Sequence, residues 1–481
     1  MKFKGQFLLT KNHFVNKFEM ICKDILDFKL FFSPSVKFHR KTNNKLDLIL
    51  LGDLFSFDEP HKNNDQILYD LSLINSETIF FEKLSKYYGE YIFIIIRNNK
   101  IKILNDATAQ KEIYYTKNFS SFASTIRLIS FCEDIVKHNK KDILHFYSSE
   151  DFKKKLVYIN SETDYKNIKH LKPNHFLELN NKKVVRFFPS NLIKKNSLEK
   201  VVNEASKIIK GYMKSISLRY PNLILPLTAG FDSRLLFLSS LDINCEYYVS
   251  QHKWMNDSHP DIIISKQLTS LFGKKLVIKK DTETNDKHID NDYTFSVDYP
   301  RYISFPEIVN NKTIINGNVS EIARCYFPRI SNPKPKDLIF LSNYKYHSYL
   351  NKIYDDWIKI NDKNFKKFKY NFLDMFYWEE KMGNWLSKMK TESSAQGLKI
   401  LSPYNSRYLL DMMLGVDIKY RSNYNTILYK EIAKKLTDNT KISKIPYNPS
   451  TETKIFSLLA KIRLLNFYLR IRMFIKQILY K

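Results

Sequence analysis

The sequence predicts an α/β and α+β chain of two domains. Stacked antiparallel sheets with flanking helices are expected over residues 1–190, and a doubly wound parallel sheet with an additional helical region over residues 191–450. Three observations lead there. Short apolar and aromatic runs separated by turn residues crowd the first part of the chain. The run Ile92, Phe93, Ile94, Ile95, Ile96 is uniformly apolar, as for a strand covered on both faces. From Leu223 to Ile315, strand-like and helix-like segments alternate, the pattern of a parallel sheet.

Taken in order, Leu46 to Phe55 reads as a strand pair turning at Gly52, and Tyr87 to Arg97 with Lys100 to Asn105 as a hairpin joined at Asn98 and Asn99. A polar, basic stretch after Phe187, Phe188 and Pro189 marks a junction near residues 188–198. The segment Leu198 to Leu218 spaces Val201, Val202, Ala205, Ile208 and Ile209 as one buried helical face. Leu223 to Pro226 is a strand, with Pro226 tolerable only at its end. Glu246 to Ser250 is the next strand and Ser258 to Phe272 the next helix. There Pro260 suits the first turn and Asp261 the positive end, with capping as the role expected of Asp261. Lys275 to Lys279 and Thr313 to Ile315 are further strands. The segment Thr453 to Lys481 mixes Lys461, Arg463, Arg470, Arg472 and Lys476 with Leu, Ile and Phe. It reads as a basic amphipathic helical segment over residues 451–481, docked on the body or touching anionic lipid.

Composition narrows the function classes. With 481 residues and 43% hydrophobic content, the chain can bury full cores and is not disordered overall. The net charge of +28 favours anionic partners such as nucleotides, acidic sugars or a membrane surface, although AT-rich coding bias accounts for part of it. The basic residues are spread along the chain and no nucleic-acid motif occurs, so a nucleic-acid partner is not expected. Cys22, Cys132, Cys245 and Cys325 show no paired spacing and read as reduced thiols. Residues Met1 to Gly5 lack the apolar core of a signal peptide, and no apolar stretch reaches spanning length. A cytoplasmic protein is expected, with peripheral contact at the inner face of the membrane as the reading attached to the basic segment.

The chemistry concentrates at Thr228, Ala229, Gly230, Phe231, Asp232 and Ser233, where an apolar strand passes through a small-residue turn into a helix. Backbone N–H groups and the helix dipole favour an anion at such a place. The small residues let the backbone close around a pyrophosphate. Asp232 suits a divalent cation bridging phosphate oxygens, and Ser233 a hydrogen bond to the same phosphates. Neither Gly-x-Gly-x-x-Gly nor Gly-Lys-Ser/Thr is present. The structural alternative is a polar strand–helix turn of the kind any α/β protein contains.

These six residues resemble the pyrophosphate loop of the asparagine synthetase family, Ser-Gly-Gly-x-Asp-Ser, with Thr228 for Ser and Ala229 for Gly. Other segments resemble that family in the same order. Gly89-Glu90, Asn105-Asp106-Ala107-Thr108 and Tyr114-Tyr115 look like segments of its glutaminase domain, an N-terminal nucleophile hydrolase-like fold. Thr163 to Ile168, Leu171 and Pro173-Asn174-His175 look like the stretch leading out of it. Gly317 and Glu321 match an acidic turn in which Ser320 stands where the family has Asp. Trp378 to Trp385 and Glu392 to Arg407 look like its helical region, and Lys444 precedes Ile445-Pro446 as a lysine does there, with Lys441 competing. The family's glutaminase uses an N-terminal cysteine. Here residue 2 is Lys2 and the nearest cysteine is Cys22, so glutaminase chemistry is not expected.

The resemblance implies an ATP-dependent, AMP-forming carbon–nitrogen ligase with ATP and Mg²⁺ as cofactors. ATP and Mg²⁺ would be bound by Thr228 to Ser233, Gly317 and Arg324, with the metal on Asp232 and Glu321 and catalysis by Lys444 and Glu392. Its partners would be a carboxylate-bearing small molecule, sugar or peptide and an amine or ammonia. Amidation of a sugar acid in a surface polysaccharide is one product class, and lactam or macrolactam closure the alternative. An inactive nucleotide-binding or structural homologue is the reading from another class.

Overall fold

A computed structural model describes residues 3–16, 18–43, 45–280, 307–421, 426–437, 439–449, 455–456, 458–459, 462 and 464–479. Two six-stranded sheets come first. One runs, in spatial order, Ile168–His170, Tyr114–Thr116, Ser121–Ala123, Phe7–Thr10, Phe28–Phe32 and Ile21–Ile25. The other runs Lys183–Arg186, His175–Glu178, Lys100–Asn105, Tyr88–Arg97, Leu46–Phe55 and Phe38–Thr42. All their pairings are antiparallel.

Side-chain alternation stacks them. Ile92, Ile94 and Ile96 enter a core shared with Phe7, Leu9, Leu30 and Phe32 of the first sheet. Phe93 and Ile95 point the other way, into a cluster with Ile67, Leu68 and Leu71 of the Asn64–Ser72 helix and Phe80 and Leu84 of the Glu77–Ser85 helix. The isoleucine run is therefore covered on both faces. Asn98 and Asn99 have φ of 49° and 59°, the positive pair a tight hairpin turn needs. Gly52 corrects the sequence reading: Leu46–Phe55 is one continuous strand. Gly52 has φ of 124°, and a Cβ there would stand 2.1 Å from the Glu90 carbonyl oxygen. Its job is to let the neighbouring strand approach, not to turn the chain.

The third sheet is parallel and five-stranded, in the order Leu276–Lys280, Cys245–Gln251, Leu223–Pro226, Thr313–Ile315 and Lys399–Leu401. Leu223, Leu225, Tyr247, Ile315 and Leu401 face one core, and Ile224, Tyr248, Ile314 and Ile400 the other, so both faces are buried. The helix expected from Leu198 spans Leu198–Arg219, capped by the Ser197 side chain. Pro226 ends its strand.

Packing continues through residues 188–198. Phe3, Leu8 and Tyr114 belong to the same buried cluster as Ile208, Leu225 and Trp378. Among the described residues no helix is long and apolar enough to cross a membrane.

Candidate functional site

The order of the parallel sheet reverses at Leu223–Pro226. From there the chain proceeds outward to Cys245–Gln251 and Leu276–Lys280, then returns to place Thr313–Ile315 on the opposite side. The carboxyl ends of Leu223–Pro226 and Thr313–Ile315 lie side by side at this reversal, the place where open α/β sheets take ligands. The first loop is Leu227 to Gly230, followed by the Phe231–Ser239 helix; the second is Asn316 to Val319, followed by the 3₁₀ turn Ser320–Arg324.

Gly317 brings the two loops into contact. A Cβ at this position would lie 2.7 Å from the Asp232 Cβ and 3.2 Å from the Ser233 nitrogen. Val319 takes φ of 87°, an unusual backbone for a β-branched residue, while fully buried. Strain at this turn is held by the packing around it.

Around that contact the structure gathers Asp232, Ser320, Glu321 and Arg324. Arg324 Nη2 lies 2.9 Å from Asp232 Oδ2, and the Ser320 hydroxyl donates to Oδ1. Burial would lower the Arg324 pKa, but the charges of Asp232 and Glu321 raise it. Glu321 is held above the usual carboxylate range by burial and then by Asp232, against the pull of Arg324. Its Oε2 is buried without a hydrogen-bond partner. The Tyr404 hydroxyl donates to the Asp232 carbonyl at 3.0 Å and the Tyr429 hydroxyl to the Ser320 carbonyl at 2.6 Å. Neither tyrosine was singled out from the sequence, because both come from distant segments.

The Thr228–Gly230 loop largely satisfies itself. Thr228 N–H donates to Ser233 Oγ at 3.2 Å and Gly230 N–H to Thr228 Oγ1 at 3.2 Å. Ala229 N–H donates to Asp261 Oδ1 at 2.7 Å. This last bond corrects the capping role expected of Asp261. His259 is the N-cap of the Pro260–Leu271 helix, and the Asp261 carboxylate reaches across to the loop. The helix Phe231–Ser239 begins at Gly230, which supplies no side-chain cap.

A third segment closes one side. Asn448 N–H donates to the Ala229 carbonyl at 3.1 Å, and the Phe231 ring stacks on Tyr447 at 4.5 Å. Arg234, fully buried, donates to the carbonyls of Ile445 at 2.9 Å and Pro446 at 2.5 Å, its guanidinium 3.6 Å above the Tyr447 ring. Lys444 directly precedes this segment and is exposed, as is Lys441. Sequence reasoning missed Arg234; its only signal was a cation directly before the apolar run Leu235 to Leu238.

Glu392 lies in different surroundings. It is buried on the Ser387–Ala395 helix, 3.1 Å from Lys388 Nζ, and its charge is felt by Glu112. These neighbours, and Tyr114 beside them, belong to segments other than Thr228–Ser233. Lys2 falls outside the described residues, and Cys22 is exposed on the strand Ile21–Ile25.

Among the described residues no group of three or more His, Cys, Asp or Glu side chains could hold a metal. The orphaned Glu321 Oε2 and the Asp232 carboxylate do fit an ion that takes its remaining ligands from phosphate oxygens and water, the usual habit of Mg²⁺. Arg324 would have to release Asp232 Oδ2 to admit it.

No protein-family model matches the chain, and no curated protein matches it. The solved structures similar to it include the following two. One is described as the allosteric regulatory enzyme of purine biosynthesis, with 9% identity and a TM-score of 0.24 over 58% of this chain and 69% of that one. The other is glutamine phosphoribosylpyrophosphate amidotransferase from B. subtilis, complexed with ADP and GMP. It shows 8% identity and a TM-score of 0.23 over 58% of this chain and 84% of that one.

Proposed function

We propose that the protein is an ATP-dependent, AMP-forming ligase that joins a carboxylate to an amine or ammonia. One observation carries this reading. At the point where the parallel sheet reverses, Gly317 seats the Asn316–Arg324 turn against Asp232, beside an uncapped helix start and a buried, orphaned carboxylate. That arrangement supports phosphates accompanied by a cation on the two acids, and it resembles the pyrophosphate loop read from the sequence.

In this scheme the first turn of the Phe231–Ser239 helix receives the diphosphate, and the Ser233 hydroxyl adds a donor. Arg324 lies on Asp232 at rest; released from it, the guanidinium pairs with a phosphate or substrate carboxylate. Glu321, protonated more readily than an ordinary carboxylate, ionises as positive charge enters. Mg²⁺, held by Asp232 and Glu321, would neutralise phosphate charge. Lys444 flanks the loop through Ile445 to Asn448 and supplies a cation for adenylate formation and amine attack. An amide of a sugar acid and a lactam or macrolactam are the two product classes.

A second reading has its own support. The N–H groups of Thr228, Ala229 and Gly230 are already hydrogen-bonded, one of them to a carboxylate in the position an anion would take. This favours a homologue that keeps the loop as architecture. ATP–pyrophosphate exchange over a panel of carboxylic acids separates the two. Exchange with any acid, lost in Asp232→Asn, supports the ligase. Absence of exchange together with absence of ATP binding supports the architectural reading.

A further inference from the structure

We propose that the helix Leu465–Leu479 is a docking surface for an anionic lipid bilayer. At 1.5 Å per residue its 15 residues extend about 22 Å, enough to lie along a bilayer surface. Phe467, Ile471, Phe474 and Ile475 recur at helical spacing and form one stripe, exposed by 64%, 41%, 60% and 49%. The helix meets the body on other sides. Asn466 Oδ1 accepts the Arg329 N–H at 2.7 Å, and the Tyr468 ring lies 5.7 Å from Phe456. Exposed Ile455, Leu458, Ile462 and Leu464 lead into it.

Charge selects the occupant. At about 100° per residue, Arg470 and Arg472 fall on opposite edges of the stripe, each about 100° from its centre. Both are exposed. From Thr453 to Lys481 the sequence carries seven Lys and Arg and no Asp or Glu. A second copy would set these cations against themselves, and a nucleic acid would leave the apolar stripe in water. An anionic bilayer takes both: the aromatic and aliphatic groups enter the acyl boundary while the arginines reach phosphates at its edge. This inference is independent of the proposed ligase chemistry.

Co-sedimentation of the full chain with vesicles of phosphatidylcholine and phosphatidylglycerol, and of phosphatidylcholine alone, tests it. The expected result is binding to the mixed vesicles only, weakened by salt. The double variant Phe467→Ser, Phe474→Ser keeps the charge and should bind about tenfold less or weaker still. Because the whole chain carries +28, that variant is decisive: unchanged binding would mean diffuse attraction and overturn the proposal. Equal binding to neutral vesicles would also overturn it. So would no vesicle binding, whether or not the helix proves to hold an acidic protein or a second copy by sedimentation velocity. In Ile471→Trp, tryptophan emission should shift to the blue with mixed vesicles; an unshifted spectrum would place the stripe outside the bilayer.

Discussion

Asp232 and Arg324 form a pair in which each partner depends on the other. Removing the cation leaves Asp232 facing Glu321 with only hydroxyl and water to stabilise two acids. Arg324→Leu should therefore destabilise the fold by about 3 kcal/mol. Adding Asp232→Asn to it should recover part of that loss, and urea unfolding of the double-mutant cycle measures the coupling. Independent effects in the cycle would mean the pair carries nothing. Glu112 offers a cleaner pH test. Its carboxyl is buried with Oε2 unpartnered, and burial raises its pKa to about 7. An acid whose folded pKa is raised stabilises below its unfolded value near 4.5 and loses that contribution as pH rises through about 7. The span corresponds to about 3 kcal/mol. Glu112→Gln should flatten the decline in stability between those pH values; parallel pH profiles for the two proteins would refute the assignment.

At the scale of elements, the site depends on two loops touching at a glycine. Gly317→Ala would drive a methyl group to 2.7 Å from the Asp232 Cβ and part the two loops. The expected cost is about 1–3 kcal/mol in stability, with a larger relative loss of ATP–pyrophosphate exchange or nucleotide binding. A variant with wild-type stability and nucleotide affinity would show that the loops can separate freely. Much of this region was legible from sequence. Strand Thr313–Ile315 and the Phe231–Ser239 helix follow from apolar runs broken by small residues. Asp261 was legible as an acid in a first helical turn, but not as the acceptor for Ala229 N–H. That bond joins residues 32 apart, and local rules say nothing of it.

Over the whole molecule, ion pairs with a buried carboxylate tie the antiparallel sheets to the later helices and to the parallel sheet. Arg186 holds Glu379 at 2.5 Å, Lys390 holds Glu90 at 2.7 Å, and Lys399 holds Asp53 at 2.9 Å. Burial alone would raise the Asp53 pKa; Lys399 and Lys37 instead hold it well below the carboxylate range. The π-helical stretch Tyr377–Leu386 presents Glu379 to Arg186 and the Trp378 indole N–H to the Ala107 carbonyl at 2.7 Å. With one apolar cluster continuous across residues 188–198, the described parts should unfold together. Scanning calorimetry should show a single main transition, and Lys399→Met should lower its temperature through a cost of about 1–3 kcal/mol, because Asp53 keeps Lys37 and the Tyr220 hydroxyl. Two well-separated transitions, with Lys399→Met moving one alone, would show that the halves fold apart.

By itself the sequence determined a set of elements, among them Leu198–Arg219, Leu223–Pro226 and Thr313–Ile315, that one sheet is parallel, and that a strand passes through a small-residue turn into a helix at Thr228 to Ser233. Those properties follow from the period of apolar side chains and from small residues at turns, which act within a few positions. Only the tertiary structure decided that Arg324 rests on Asp232, that Asp261 occupies the Ala229 N–H, and that Glu392 lies near Glu112. It also decided that the apolar stripe of Leu465–Leu479 faces outward. Each of these joins groups distant in the chain, or turns a face toward or away from the body. The choice among partners there is made by burial and charge, which exist only once the layers have closed.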